Sequence, residues 1–298
     1  MSSIKWFFGQ ILKAIFLVSS WLVAHSPRRL QMFYGFLLGT LWFDILRIRR
    51  AVAIGNVKKA FPDISDAEAT RIARRSLWHM GLTIVELCIF PHFKRSWMPR
   101  FINFDGMENL ENAKAKGKGV CLLTLHLSNP DFGALGLSHC DLPVHVISKL
   151  FKTKWLNDYW FGVRGQHGTH FIPPEKSSFQ ILKALKKNEI VAFVLDQFMG
   201  PPVGVRTTFF GHTTGTAAGL ATMVERSRSP VIPAFVKRDK NGLSTVVIEP
   251  EIPFEEKDSR QSSIEHMTQV YTYKIEEIVK KYPEQWMWIH KRWKPFRD

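Results

Sequence analysis

GVCLLTLHLSNPD, residues 119–131, joins an apolar run to a histidine, with an acid five positions further on. Val120 to Leu125 is too short for a buried helix, and it is bounded by Gly117 and Gly119 before and by Ser128, Asn129 and Pro130 after. That is how a strand buried on both faces of a parallel sheet reads. A strand ending here delivers His126 to the carboxyl edge of the sheet, where open α/β folds hold their ligands. Pro130 suits the first position of a helix, so Asn129 is expected to cap a helix starting near Asp131. His126 and Asp131 would then face each other across one tight turn. A carboxylate beside an imidazole fixes its tautomer and favours its protonated form, as a general base requires. Spacing alone does not separate this pair from chance in a chain with eleven histidines. The strand-end position is what favours the catalytic reading.

Outward from this stretch, strand-like and helical runs alternate. Val144 to Ser148, Ile190 to Leu195, Val231 to Val236 and Leu243 to Ile248 read as strands. Trp155 to Val163, Ser177 to Lys187 and Thr216 to Arg226 read as helices, and Gly200 to Thr214 as a long Gly- and Pro-rich loop. The alternation predicts an α/β fold with a mostly parallel central sheet flanked by helices. The strand from Ile190 ends in Asp196 and Gln197, which should reach the same edge as His126. Upstream, Ser65 with Glu68 marks a helix start, and Ile72, Ala73, Leu77, Met80, Ile84 and Leu87 keep helical spacing after it. Glu86 in that helix is expected on a solvated face, like most helical acids.

The 298 residues allow one large domain, and 45% hydrophobic residues exclude a disordered chain. A net charge of +15 calls for an acidic partner, either nucleic acid, anionic lipid or an acidic protein. Three scattered cysteines provide neither a disulfide framework nor a zinc site. Trp6 to Ala24 is nearly apolar over about the length that spans a bilayer, interrupted by Gln10 and Lys13. It predicts an N-terminal membrane anchor, spanning or lying in the interface. Met32 to Leu46, which contains Asp44, reads as an interfacial or core helix. The division expected is residues 1–50 as anchor and interfacial helix and 51–298 as the catalytic domain. Arg28, Arg29, Arg47, Arg49, Arg50, Lys58 and Lys59 follow the apolar segments, which puts the domain on the cytoplasmic side, against an anionic membrane surface. The closing WMWIHKRWKPF, residues 286–296, interleaves aromatic and basic residues for a membrane interface, for stacking on bases, or for packing on the sheet.

Laid end to end, several segments resemble the bacterial lipid A late acyltransferases, the lauroyl and myristoyl transferases related to the glycerophosphate acyltransferases. They are NVKKAFP at residues 56–62, GMENLENAKAKGKGVCLLTLHLSNPD at 106–131, Arg164 with Gly165, Asp196 with Gln197, TFFG at 208–211, TAAGLA at 216–221, PVIPAF at 230–235 and PEQWMWIHKRWKP at 283–295. The resemblance implies an O-acyltransferase of the inner membrane, facing the cytoplasm. It would move a fatty acyl chain from acyl carrier protein, or from CoA, to a hydroxyl of a membrane lipid, with a lipid A precursor as the first candidate. In that family the histidine of an HX4D/E motif is the general base and the acid orients it, roles that fall on His126 and Asp131. Arg164, Asp196, Gln197 and Asn129 are then the expected substrate-binding residues. The oxyanion donors are expected to be backbone amides after Asn129 or the Arg164 guanidinium, which suits a phosphate equally well. This chain has Asp131 and Pro130 where the family often has glutamate and tryptophan, and TFFG where glycerophosphate acyltransferases carry FPEG.

The resemblance calls for no cofactor. Rival readings are transfer to another glycolipid or aminolipid, and a membrane-bound lipid-binding protein without catalysis. Nucleic acid has only the charge in its favour, with no recognition signature. His167 and His170 have metal-like spacing but no accompanying ligand cluster, so no metal is expected.

Overall fold

Residues 15–149, 153–174 and 177–296 are described by a computed structural model. Helical residues 15–25 (α1) lead into α2 (Arg28–Thr40), a π-helical turn (Leu41–Leu46), α3 (Arg50–Ala60), α4 (Asp66–Ile89) and the short α5 (Met98–Phe101). There follow β1 (Ile102–Asp105), α6 (Met107–Ala115), β2 (Val120–Thr124), α7 (Pro130–His139), β3 (Val144–Ile147), α8 (Lys154–Gly165), β4 (His170–Ile172), α9 (Ser177–Lys186) and β5 (Ile190–Val194). The chain continues through β6 (Gly204–Phe209), β7 (His212–Ala217), α10 (Gly219–Ser227), β8 (Val231–Arg238), β9 (Ser244–Ile248) and α11 (Arg260–Lys281).

Seven strands form one sheet in the order β1-β9-β8-β2-β5-β3-β4. Neighbours run parallel except β8 and β9, which pair as an antiparallel hairpin. The fold is therefore mixed α/β with a mostly parallel central sheet. β2 lies between β8 and β5, and its side chains alternate between two cores as strand geometry requires. Val120 and Leu122 pack with Leu110, Phe132 and Leu135, from α6 and α7. Cys121 and Leu123 join Met223, Tyr271 and Ile275, from α10 and α11. This burial on both faces is why the strand reads as a continuous apolar run.

The region expected to be one loop, Gly200 to Thr214, instead contains most of a separate hairpin of β6 and β7. Phe210 and Gly211 both have positive φ, 51° and 71°, which suits a two-residue turn whose twist matches that of the strands. The buried Thr207 and Thr216 hydroxyls bond to each other at 2.8 Å across the pair.

The expected anchor, Trp6 to Ala24, lies partly outside the described residues; its part from residue 15 is helical. Among the described residues no helix is long and apolar enough to cross a membrane. Trp21, Phe33, Phe36, Leu37, Ile45, Leu46 and Ile48 nevertheless lie exposed. Met32 to Leu46 divides between the end of α2 and the π-helical turn, which buries Phe43 in the core.

Ser65 does cap α4, its hydroxyl accepting from the Glu68 amide at 3.2 Å. Glu86, expected in solvent, is fully buried. The reason is charge brought from elsewhere: Arg28 on α2 and Arg238 at the end of β8 both donate to it. α2 reaches α4 closely because the crossing is lined by glycine. A Cβ on Gly81 would sit 2.3 Å from the Gly35 carbonyl oxygen, and one on Gly39 would sit 2.6 Å from the Leu77 carbonyl oxygen. No side chain fits between backbones at that distance. Gly81→Val should push the helices apart and lower stability by about 1–3 kcal/mol, the usual cost of overpacking. A fall in the thermal unfolding midpoint, with the α2 amides exchanging faster with solvent, would report it.

Candidate active site

Parallel neighbours end at one edge of a sheet, and β2 and β5 do so side by side, the Leu195 amide donating to the Thr124 carbonyl at 3.2 Å. Two residues past β2 stands His126, and two past β5 stands Asp196. His126 Nδ1 lies 2.8 Å from Asp196 Oδ1, and the His126 backbone N–H donates to Oδ2 at 2.9 Å. Beside an ionised carboxylate Nδ1 carries the proton, which leaves Nε2 as the basic nitrogen. The His126 side chain is 34% exposed, enough to be reached, whereas that of Asp196 is 1% exposed.

Such a carboxylate needs several donors, and the third comes from the C-terminal segment: Trp286 Nε1 donates to Asp196 Oδ2 at 2.8 Å. The segment is strapped across the edge. Leu127 and Trp286 form an antiparallel bridge, the Ser128 amide donates to the Gln285 carbonyl at 2.9 Å, and the Met287 amide donates to the His126 carbonyl at 3.2 Å. Of the three roles open to the aromatic and basic tail, packing on the sheet holds for Trp286, Trp288 and Arg292, all buried. Arg292 Nη1 donates to the carbonyls of Gln197 and Gly215 at 2.9 and 2.6 Å, and Nη2 to Thr216 Oγ1 at 2.6 Å. Burial pushes its guanidinium down to about 10, against the charge of Asp196. Neither Trp286 nor Arg292 stood out individually in the sequence, where they belong to a run of aromatic and basic residues with three roles open.

The acid five positions after His126 goes elsewhere. Asp131 Oδ1 pairs with Arg164 Nη2 of α8. The orienting contact expected from Asp131 is thus made by Asp196, because α7 carries Asp131 toward α8 while β5 sets Asp196 beside the imidazole. Arg164 is no surface arginine: its side chain is 9% exposed and its guanidinium lies over the rings of Phe171 and Trp160, 4.5 and 5.3 Å from their centres.

Asn129 caps α7 as expected, its Oδ1 accepting from the amides of Asp131 and Phe132 at 3.1 and 3.3 Å. Its Nδ2 donates to Glu86 Oε2 at 2.9 Å. With both ends of a fully buried side chain engaged inside the protein, Asn129 braces the turn and does not face open space. Gln197 stands beside Asp196, its main-chain carbonyl held by Arg292. His167 and His170 part company, the first at 2.6 Å from the Phe90 carbonyl and the second tilted against His145 with ring centres 4.8 Å apart.

Burial by itself would lower the His126 pKa. The charge and hydrogen bond of Asp196, helped by the charge of Asp131, outweigh it and raise the pKa above its usual value. For Asp196 burial works upward, and the His126 and Trp286 contacts overcome it and hold the carboxyl at about 2. The depressed acid contributes stability that is complete above its ordinary 3.8 and lost as pH falls through about 2. The raised histidine contributes stability that is complete below its ordinary 6.5 and lost as pH rises through its folded value. The pair therefore stabilises the fold most in the weakly acidic window between those ordinary values. Chemically, the site offers an oriented nitrogen base at a sheet edge, with the charge of Asp131, itself paired to Arg164, acting on it.

Residues 7–295 match the family model described as bacterial lipid A biosynthesis acyltransferase. The chain is 24% identical over 281 residues to the lipid A biosynthesis lauroyltransferase of Escherichia coli strain K12, covering 92% of this chain and 88% of that protein. It is also 24% identical over 278 residues to the lipid A biosynthesis palmitoleoyltransferase of the same strain, with 92% and 88% covered. A lipid A biosynthesis acyltransferase of Haemophilus influenzae is 23% identical over 269 residues, covering 90% of this chain and 83% of that protein.

Asp196→Asn removes the main influence raising the His126 pKa and leaves burial opposing it. The His126 resonance should titrate below 6.5 in the variant and above it in the parent protein.

Proposed function

The chain belongs to the bacterial lipid A biosynthesis acyltransferase family and is an acyltransferase, and from this premise we propose that it esterifies a hydroxyl of a lipid A precursor with a fatty acyl chain carried as a thioester on acyl carrier protein. The observation that carries the mechanism is the His126 Nδ1 to Asp196 contact of 2.8 Å, which leaves Nε2 basic at the strand edge. His126 Nε2 takes the proton of the acceptor hydroxyl as its oxygen attacks the thioester carbonyl. A C–O bond forms, the tetrahedral intermediate collapses with loss of the C–S bond, and the imidazolium returns the proton to the thiolate. Asp196 keeps the tautomer and stabilises the imidazolium. A base of this kind contributes on the order of 10²–10⁴-fold.

The backbone amides of Asp131 and Phe132 already donate to Asn129, so the guanidinium of Arg164 is the better source of charge for the oxyanion. Asp131 aims that guanidinium and adds its own charge to the environment of His126. Asn129 acts as a positioning residue, and Gln197 borders the acyl or acceptor path. The exposed apolar residues of α1, α2 and the π-helical turn, with Arg47 and Arg49 exposed beside them, suit a seat on the inner membrane from the cytoplasmic side. The net charge of +15 suits both that anionic surface and an acidic carrier protein.

Purified protein in detergent, supplied with acyl carrier protein thioesters and a lipid A precursor, should produce a lipid heavier by one acyl chain in mass spectrometry. His126→Ala should lower kcat by about 10²–10⁴-fold in protein that still folds, and Asp131→Ala and Arg164→Ala should each lower it too. Full activity in His126→Ala would overturn the mechanism, and no transfer by the parent protein would overturn the reaction.

A further inference from the structure

Outside the chemistry described above, the most unusual group in the molecule is Glu86, a carboxylate 0% exposed on α4. Its two oxygens serve different parts of the fold. Oε1 accepts from Nη2 of Arg28 at the start of α2. Oε2 accepts from Nη2 of Arg238 at the end of β8 and from Nδ2 of Asn129 at 2.9 Å. Three residues earlier on α4, Thr83 Oγ1 donates to the Ser128 carbonyl at 2.9 Å. α4 therefore holds two successive residues of the turn that links His126 to Asp131. Ser128 in that turn has a φ of 52°, a left-handed conformation that a side chain other than glycine adopts at some cost.

Both arginines are fixed in their turn. Arg28 also donates to Gln31 Oε1 at 3.2 Å and to the Gly242 carbonyl. Arg238 donates to the His79 carbonyl and to Thr83 Oγ1, each at 3.2 Å. A buried group of two cations and one anion is a poor source of stability beside apolar packing, but it dictates one geometry and punishes the loss of any member. Its placement says what that geometry serves, because among the described residues the neutral side-chain partner of Glu86 is the cap of the helix that follows the His126 turn.

We propose that Glu86 is a positioning residue, clamping Asn129 and with it the turn from His126 to Asp131, and that Arg28 extends this clamp to α2, the helix whose outer face is apolar and exposed. The proposal rests on the acyltransferase reading for its effect on rate, and on the structure alone for its effect on the turn. The acid binds no substrate and moves no proton. A displacement of α2 is passed to the turn through one carboxylate, so the seating of the N-terminal helices sets how well His126 is aimed.

Exchanging the two partners tests it. In Glu86→Gln the carboxamide presents an N–H₂ where an acceptor is needed. In the double variant Glu86→Gln/Asn129→Asp the amide and the carboxylate trade places, the new aspartate still caps α7, and the hydrogen bond between them is restored. Full-length protein in detergent micelles is compared by hydrogen–deuterium exchange over residues 126–139, which needs no substrate, and by kcat and KM. Glu86→Gln should speed exchange there and lower kcat by roughly 10- to 100-fold at constant KM, the effect of misplacing a reacting group. The double variant should recover most of both. Arg28→Met, which touches none of those amides, should also speed their exchange. Unchanged exchange in Glu86→Gln, or a folded double variant no better than the worse single one, overturns the clamp. Unchanged exchange in Arg28→Met overturns its extension to α2. Altered exchange in an otherwise inactive parent protein would leave the clamp standing and reject the reaction.

Discussion

One buried carboxylate organises this molecule. Asp196 has lost its water, and a charge in that position persists only where donors replace the solvent around it. Three do, from two separate parts of the chain: the ring and the backbone of His126 after β2, and the indole of Trp286 in the C-terminal segment. Each is needed for a different reason. The backbone donor fixes where the strand must end, the indole requires the terminal segment to lie across the edge, and the imidazole gains its orientation and its raised pKa in return. The sheet order puts β2 and β5 side by side, so the arrangement requires no unusual backbone at Asp196 itself.

The two acids near His126 divide the work by distance in the fold and not in sequence. Asp131 is five residues away and belongs to Arg164, whereas Asp196 is 70 residues away and belongs to the imidazole. An HX4D spacing thus does not reveal which acid the histidine is wired to. The rings of Trp160 and Phe171 against the Arg164 guanidinium help hold that cation in place, which preserves the separation of the two pairs.

What could be read in the sequence was what local chemistry determines. The β2, β5 and β8 strands announced themselves as apolar runs because both of their faces are covered, and Ser65 and Asn129 announced helix starts because a cap bonds within three residues. The β6–β7 hairpin was hidden by threonines, whose hydroxyls satisfy one another inside the fold, and by a Phe-Gly turn that does not resemble the usual pairs. Glu86 was placed in solvent because its partners, Arg28 and Arg238, lie 58 and 152 residues from it. Trp286 and Arg292 were equally opaque, since a run of aromatic and basic residues looks the same whether it meets a membrane or its own sheet.

The strap that supplies Trp286 has a consequence for how the molecule comes into being. Every strand of the central sheet, and both turns that bear His126 and Asp196, are synthesised before Pro283. A nascent chain at that stage holds the N-terminal apolar helices and the whole sheet, but Asp196 still lacks one donor and the loop at His126 has no strand beside it. The last stretch to be made therefore closes both the core, with Trp286 and Trp288, and the set of donors around Asp196.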